Sequence, residues 1–453
     1  MAATDSIHGM WSSRLMFILA AAGSAVGLGN IWRFPYVAGE NGGGAFVLVY
    51  LACIFLIGIP IMASEILIGR AGRQSPINAM RSLAMDSGAS SGWQVVGWMG
   101  ALAGFMILSF YAVIAGWVLS YVILLGSGAF VGADADLANN TFQGFVGNAW
   151  SVLGWFTGFI VLTVFITARG VGRGLETTVK YLMPTLFVLL IVLVIYAAVT
   201  SGHFTEGVLF LFSFEFERLT WGSVLIAMGQ AFFTLSLGMG AIMAYGAYMP
   251  KNTSIIGTAT TIALMDTGVA LMSGLVIFPL VFANGLESSA GPGLMFVTLP
   301  LAFGQMAGGQ FFGCIFFILV AFAAITSAIS LVEPAVAWIV EKLEATRVVA
   351  ALLVGALVWL LGLGSAFSTN ILSDVFIVGE MTFFDTMDYV TNNIVLPLGG
   401  IFIALFAGWV LDSKIRDEEM KGDLPYYPIW RFLTRFVAPV AVSIVFVMTF
   451  LQN

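Results

Sequence analysis

The chain is poor in the residues on which soluble enzymes and secreted scaffolds depend. Of its 453 residues only 9% are charged, two are cysteine and two are histidine. Cys53 and Cys314 both fall inside apolar segments, so no disulfide framework is implied. His8 and His203 lie in the N-terminal segment and in a connecting loop, and neither nucleophile–base nor metal-ligand spacing accompanies them. The glycine run at 170–174 follows no strand and lacks the dinucleotide fingerprint. An enzyme is therefore not expected, and neither is an organic cofactor. The net charge of −7 gives no footprint for nucleic acid. A cleaved leader is not expected either, because the first apolar segment is too long and more chain of the same kind follows it.

What is abundant is apolar: 60% hydrophobic residues, 52 glycines, 12 tryptophans and a mean hydropathy of +1.01. Hydrocarbon forces backbone polar groups to pair within helices or closed barrels, and these apolar runs are far longer than barrel strands. The fold class is thus all-α integral membrane. Eleven spans are expected near 12–37, 42–70, 93–125, 151–168, 175–199, 222–248, 255–281, 310–341, 346–365, 383–411 and 431–451. With the N-terminus in the cytoplasm, fifteen of the seventeen Lys and Arg fall at cytoplasmic ends and loops; Arg33 and Arg218 are the two exceptions. An odd number of spans then places the C-terminus outside. The loops at 126–150, 200–221 and 282–309, which carry Asp134, Asp136, Glu206, Glu215, Glu217 and Glu287, are read as extracellular.

Two spans carry residues that a plain span would not. The first contains GSAVGLGNIWRFPY from Gly23 to Tyr36, and the sixth contains GQAFFTLSLGMGA from Gly229 to Ala241. Glycines, an amide, a guanidinium and hydroxyls at mid-membrane suggest helices that open around a polar ligand. Close helix packing through small residues is the lesser alternative for either stretch alone. Both together, each opening a set of five spans, point to two inverted repeats, 12–199 and 222–411, followed by an additional helix at 431–451, all within one transporter domain, 1–453. A broken helix exposes carbonyls on one side and amide hydrogens on the other, which suits a zwitterion together with small cations. Tyr111, Asp266, Thr326 and Ser327 add oxygen donors from other spans, favouring sodium over a transition metal. Thr326 and Ser327 could equally bond back to their own helix, and Tyr111 could simply pack. Asp266, a carboxylate in an apolar run, is read as functional and Glu65 as structural.

The runs WSSRLMFILAAAGSAVGLGNIWRFPY, ENGGGAF at 40–46, GQAFFTLSLGMGA and ITSAISLVEP at 325–334 resemble the neurotransmitter:sodium symporter family along essentially the whole chain. The resemblance is to its bacterial hydrophobic amino-acid transporters, which have a leucine-transporter-like fold with helices 1 and 6 broken. It implies a sodium-coupled importer of amino acids in a bacterial plasma membrane, working by alternating access, and leaves the oligomeric state open. A first sodium would be held by Ala25, Asn30, Thr234, Asp266 and the substrate carboxylate. A second would be held by Gly23, Val26, Ala323, Thr326 and Ser327. The substrate's carboxylate would meet the amides of Leu28 and Gly29 and the Tyr111 hydroxyl; its ammonium would meet carbonyls of Ala25, Phe233 and Thr234 and the Ser236 hydroxyl. Its side chain would lie among Ile107, Tyr111, Phe233, Met239, Ser327 and Leu331. That lining is apolar, so aliphatic and aromatic L-amino acids are expected.

Two departures from the animal members sharpen these expectations. Gly27 stands where monoamine carriers place an aspartate, leaving room for the substrate's own carboxylate. Asp266 and Ala270 stand where chloride-dependent members have an amide and a serine, so chloride independence is expected. The resemblance also implies an outer gate of Arg33, Asp388 and Gln230, and an inner gate of Trp11, Tyr248, Glu333 and Glu341. In the inner gate His8 replaces the usual arginine. Near the fifth span's cytoplasmic end, Gly174 and Pro184 suggest a segment able to unwind. The alternatives are a carrier for a compatible solute or ω-amino acid, and an amino-acid sensor that does not transport.

Overall fold

The structure, a computed structural model, describes residues 7–285 and 293–451. Glu287 lies outside these described residues. Within them the secondary structure is helical, apart from one isolated bridge between Val378 and Met381. Among the described residues nine continuous helices are long and apolar enough to cross a membrane. They form the second to fifth spans (Gly44–Gly72, Ser91–Gly126, Ala149–Ala168, Val171–Thr200) and the seventh to eleventh (Ile255–Ala283, Gly309–Leu343, Arg347–Phe367, Phe383–Val410, Tyr427–Thr449). The first span is a broken pair, Arg14–Ala25 and Gly29–Glu40, bent by 52°. The sixth is interrupted as well: Trp221–Thr234 and Ala241–Ala247 are separated by residues 235–240. The nine, the bent pair and the interrupted pair supply the eleven spans expected, with ends within a few residues of those read from hydropathy. The three connections read as loops are partly helical, at Ala135–Val146, Phe204–Phe212 and Leu294–Gln305.

Each interruption has a local cause. The first span stops at Val26, whose backbone is extended at φ −68°, ψ 107°. In the sixth, Ser236, Gly238 and Gly240 have φ of 55°, 77° and 72°, which turn the chain out of right-handed helix. Ser236 is the one of these three with a side chain, and a non-glycine residue held there signals a constrained site. Widened π turns recur at Gly29–Arg33, Ile54–Gly58, Leu294–Thr298 and Thr391–Val395. In these four, and at Leu433–Val437, a proline follows two residues on (Pro35, Pro60, Pro300, Pro397 and Pro439), whereas the π turns Val171–Glu176 and Phe406–Val410 have none there. Proline cannot donate to the carbonyl one turn back and its ring crowds that turn, so the helix widens to accommodate it.

Glycine also sets the packing around the interruptions. A Cβ added at Gly104 in the third span would lie 2.5 Å from the Leu331 carbonyl oxygen of the eighth. One at Gly100 would lie 3.0 Å from the Gly240 amide nitrogen. The third span therefore presses its backbone against both the eighth span and the interrupted sixth, a contact only a missing side chain permits. Glu65, fully buried in the second span, accepts from the Gly238 amide at 2.7 Å and so satisfies a backbone donor that the interruption leaves without a helical partner. This is the structural role expected of it.

Candidate ligand and ion site

The two breaks meet. A small cavity of about 20 Å³ lies between the third, eighth and interrupted spans. It is lined by Ala25, Leu28, Gly29, Ile107, Tyr111, Phe233, Ser236, Met239, Ser327 and Leu331, all expected from the sequence, and also by Ser24 and Gly27. Thr234, the remaining expected residue, lies just behind, its Cα 3.7 Å from where a Gly29 Cβ would sit. The Leu28 amide donates to the Tyr111 hydroxyl at 3.3 Å. Tyr111 is therefore a polar group facing the opened backbone, and packing is not its whole role. A Cβ at Gly27 would stand 2.6 Å from Ser327 Oγ and 3.0 Å from the Tyr111 hydroxyl, so the space expected there depends on glycine. Ser24 is an addition to the expected set. Its carbonyl accepts from Ser236 Oγ at 2.8 Å and its hydroxyl donates to Ser330 Oγ at 2.7 Å, tying the two breaks to the eighth span. Its place inside the GSAVG run is the signal by which the sequence could have shown it.

Two oxygen clusters flank the cavity. In the first, Asp266 is fully buried, and its bonds come from neutral donors. Asn30 Nδ2 donates to its Oδ1 at 2.7 Å and Thr234 Oγ1 donates to both carboxylate oxygens at 3.1 Å. Among the described residues no cationic side chain forms an ion pair with it. Asn30 Oδ1 accepts from the Gly27 amide at 2.9 Å, which leaves it a second lone pair. In the second cluster the alternatives left open for Thr326 and Ser327 separate. Thr326 Oγ1 does bond back, to the carbonyls of Phe322 and Ala323 at 3.1 and 3.0 Å. Ser327 Oγ instead crosses to the first span, donating to the carbonyls of Gly23 and Val26 at 3.3 and 3.1 Å. Among the described residues no group of three or more His, Cys, Asp and Glu side chains could hold a metal. The donor set of both clusters is carbonyl, hydroxyl, amide and carboxylate oxygen, the chemistry of a small hard cation.

On the side of the N-terminus the expected gate residues fall into two hydrogen-bonded groups, joined by the contact of the His8 and Tyr248 rings at 5.6 Å. Trp11 donates through Nε1 to the Tyr245 carbonyl at 3.1 Å and through its amide to the Tyr248 carbonyl at 3.0 Å. The Tyr248 hydroxyl donates to Glu333 Oε1 at 2.8 Å. His8 Nε2 lies 2.8 Å from Glu341 Oε1, and Glu341 also accepts from the Ser75 amide and from Asn78 Nδ2. Arg347, which the sequence shows only as one more cytoplasmic charge, grips Glu333 with both terminal nitrogens, at 2.9 and 2.5 Å.

The opposite side is built differently. Arg33, Asp388, Tyr111 and Phe233 line a cavity of about 150 Å³ next to the smaller one. Arg33 lies over the Phe233 ring at 5.1 Å, while Asp388 Oδ1 accepts from Asn392 Nδ2 at 2.7 Å. The two expected gate partners share this cavity, but among the described residues they form no ion pair. Gln230 does not line it; its Nε2 donates to the Gly29 carbonyl at 2.7 Å.

The comparisons with known proteins agree with this geometry. The family model described as "Sodium:neurotransmitter symporter family" matches residues 8–127 and 143–453. YhdH of Bacillus subtilis, described as an uncharacterized sodium-dependent transporter, is 39% identical over 444 residues, 96% of each chain. An uncharacterized sodium-dependent transporter of Haemophilus influenzae is 36% identical over 445 residues, 96% of this chain and 97% of its own. The crystal structure of MhsT in complex with L-phenylalanine is 45% identical, covers 97% of this chain and 99% of its own, and superposes with a TM-score of 0.90. The arrangement is the leucine-transporter-like fold, and the chain belongs to the sodium:neurotransmitter symporter family.

Proposed function

We propose that this chain is a sodium-driven symporter of hydrophobic L-amino acids, and that the two oxygen clusters are its sodium sites. The observation that carries the reading is a cavity lined by an opened amide, Leu28 N, and a hydroxyl, Tyr111, with a buried carboxylate, Asp266, held behind it by the neutral donors Asn30 and Thr234. A carboxylate so placed costs several kcal/mol unless a cation joins it. Ala25, Asn30, Thr234 and Asp266 would take the first sodium together with the substrate carboxylate. Gly23, Val26, Ala323, Thr326 and Ser327 would take the second. Sharing the carboxylate between ion and amide makes each ligand favour the other's binding, and that linkage couples the gradient to uptake.

The apolar end of the cavity, at Ile107, Met239 and Leu331, supports an aliphatic or aromatic side chain. MhsT, crystallised with L-phenylalanine, supports the same class. An ω-ammonium group would find no acceptor among those three side chains. Met239 is unbranched and adaptable, which favours breadth over a single substrate. Asp266 supplies a negative charge beside the first cluster and Ala270 offers no hydroxyl, so transport should not need chloride. The N-terminal face would be cytoplasmic in a bacterial plasma membrane and the C-terminus outside. Spans one to five (12–199) and six to ten (222–411) would act as inverted halves, with 431–451 appended.

The test is uptake of radiolabelled leucine and phenylalanine into proteoliposomes under an inward sodium gradient, with potassium and gluconate replacements. Accumulation should require sodium, persist without chloride and fall at least tenfold in Asp266→Asn. Binding without accumulation would turn the reading to a sensor. Accumulation that ignores sodium would refute it.

A further inference from the structure

The fifth span begins weakly. Its first turn, Val171–Glu176, is a widened π turn that follows Gly170 at φ +85° and contains Gly172 and Gly174. Such a turn has little helical stability of its own. Its last residue, Glu176, reaches across to the start of the first span, 164 positions away in sequence. The Glu176 carboxylate accepts from the Ser12 amide at 3.0 Å and from the Ser12 hydroxyl. Ser12 sits between Trp11, whose indole joins the gate network, and Ser13, whose hydroxyl caps the helix Arg14–Ala25 at the Met16 amide. The carboxylate is thus a charge-assisted acceptor at the positive end of that helix. Further along, the same two spans touch again beside the second oxygen cluster. A Cβ at Gly23 would lie 3.2 Å from Met183 Sδ of the fifth span and 3.1 Å from Thr326 Cβ.

We propose that Glu176 is a positioning residue that staples the weak first turn of the fifth span to the start of the first, so that the two release together when the path to the second cluster opens. This rests on the sodium-symport reading above. Without the staple, each segment opens on its own and the closed state that holds the second ion is less populated, so more sodium is needed to keep it closed.

The test is amide hydrogen exchange of the full-length protein in lipid nanodiscs, following residues 12–25 and 171–184 in sodium and in potassium. Glu176→Ala should speed exchange in both segments by about fivefold or more, the factor a lost helix cap is worth. It should also raise the sodium concentration that gives half protection. Glu176→Gln, whose amide oxygen can still accept from the Ser12 amide, should fall between, as should Ser12→Ala, which loses one of the two bonds. If Glu176→Ala loosens only residues 12–16 and leaves 171–184 and the sodium midpoint at wild-type values, Glu176 is a cap and the proposal is overturned. A wild type without sodium-dependent protection would count against the sodium reading instead. The staple would still be read there, from joint loosening of both segments by Glu176→Ala in potassium.

Discussion

The two ends of the translocation path use the same kinds of residue to opposite effect. On the N-terminal side Glu333 is fully buried and receives Tyr248 and both arms of Arg347, while Glu341 gathers His8, Ser75 and Asn78. On the other side Arg33 and Asp388 border a cavity of about 150 Å³ without pairing, one lying over Phe233 and the other held by Asn392. A desolvated, doubly bonded ion pair holds two helices in one geometry, whereas charges left on either side of a cavity can close it later. Among the described residues one face is thus tied across two helices by a formed ion pair and the opposite face is not. Tyr111 and Phe233 line both the cavity at Arg33 and Asp388 and the smaller one next to it.

The largest effect should come from breaking the inner pair. Glu333→Gln leaves the Arg347 guanidinium without its counter-charge, and loss of one partner of a buried pair costs about 3 kcal/mol or more. Amide exchange of the first half of the first span, Arg14–Ala25, should then accelerate by roughly a hundredfold, with Gly29–Glu40 far less affected and sodium-driven accumulation largely lost. Combining Glu333→Gln with Arg347→Leu should recover part of the protection, because no buried charge is left alone. Equal acceleration of both halves would mean that the pair stabilises the whole fold and is not a gate on one side.

That pair also marks where the sequence stops being informative. Span positions are legible because an apolar run long enough to cross a bilayer is seldom stable outside one, and both breaks are legible because glycine and polar groups at mid-membrane are costly. Of the expected cavity residues only Thr234 stands behind the wall, and the additions, Ser24 and Gly27, sit inside the GSAVGLGNIWRFPY motif itself. What stays hidden are partners that only the folded chain brings together. The positive-inside pattern already accounts for Arg347, so nothing in the sequence marks it as the partner of Glu333, and Gly174 marks a weak turn beside Glu176 without naming its partner, Ser12. Thr326 and Ser327, adjacent in sequence, have identical prospects; helix rotation alone sends one hydroxyl back to its own turn and the other across to Gly23 and Val26.

A smaller effect is expected from the outer side. In Asp388→Asn the bond from Asn392 can survive, and no formed ion pair is lost, so exchange of Gly29–Glu40 in sodium alone should stay within about threefold of wild type, less than 1 kcal/mol. The additional protection expected on this half from phenylalanine, the proposed class of substrate, should shrink, since closing the cavity would then bring Arg33 to an uncharged partner. A variant in which sodium-only exchange rises by tenfold or more would show that the outer pair already contributes to this state, and the comparison between the two ends would fail.

The smallest effect should come from His8. Its ring lies 5.6 Å from that of Tyr248 and its Nε2 meets Glu341, which three other donors already satisfy. Arginine in its place would carry a permanent charge and offer Glu341 a two-pronged contact, but part of the gain is spent on ordering a longer side chain. His8→Arg should therefore slow exchange of Arg14–Ala25 by about two- to fivefold in sodium, in the direction opposite to Glu333→Gln, while leaving Gly29–Glu40 unchanged. Turnover under a sodium gradient should fall with it, because a firmer inner lock must still open once per cycle. If exchange instead quickens, the space beside Tyr248 is fitted to an imidazole, and histidine is there for its shape and not as a weaker substitute for a cation.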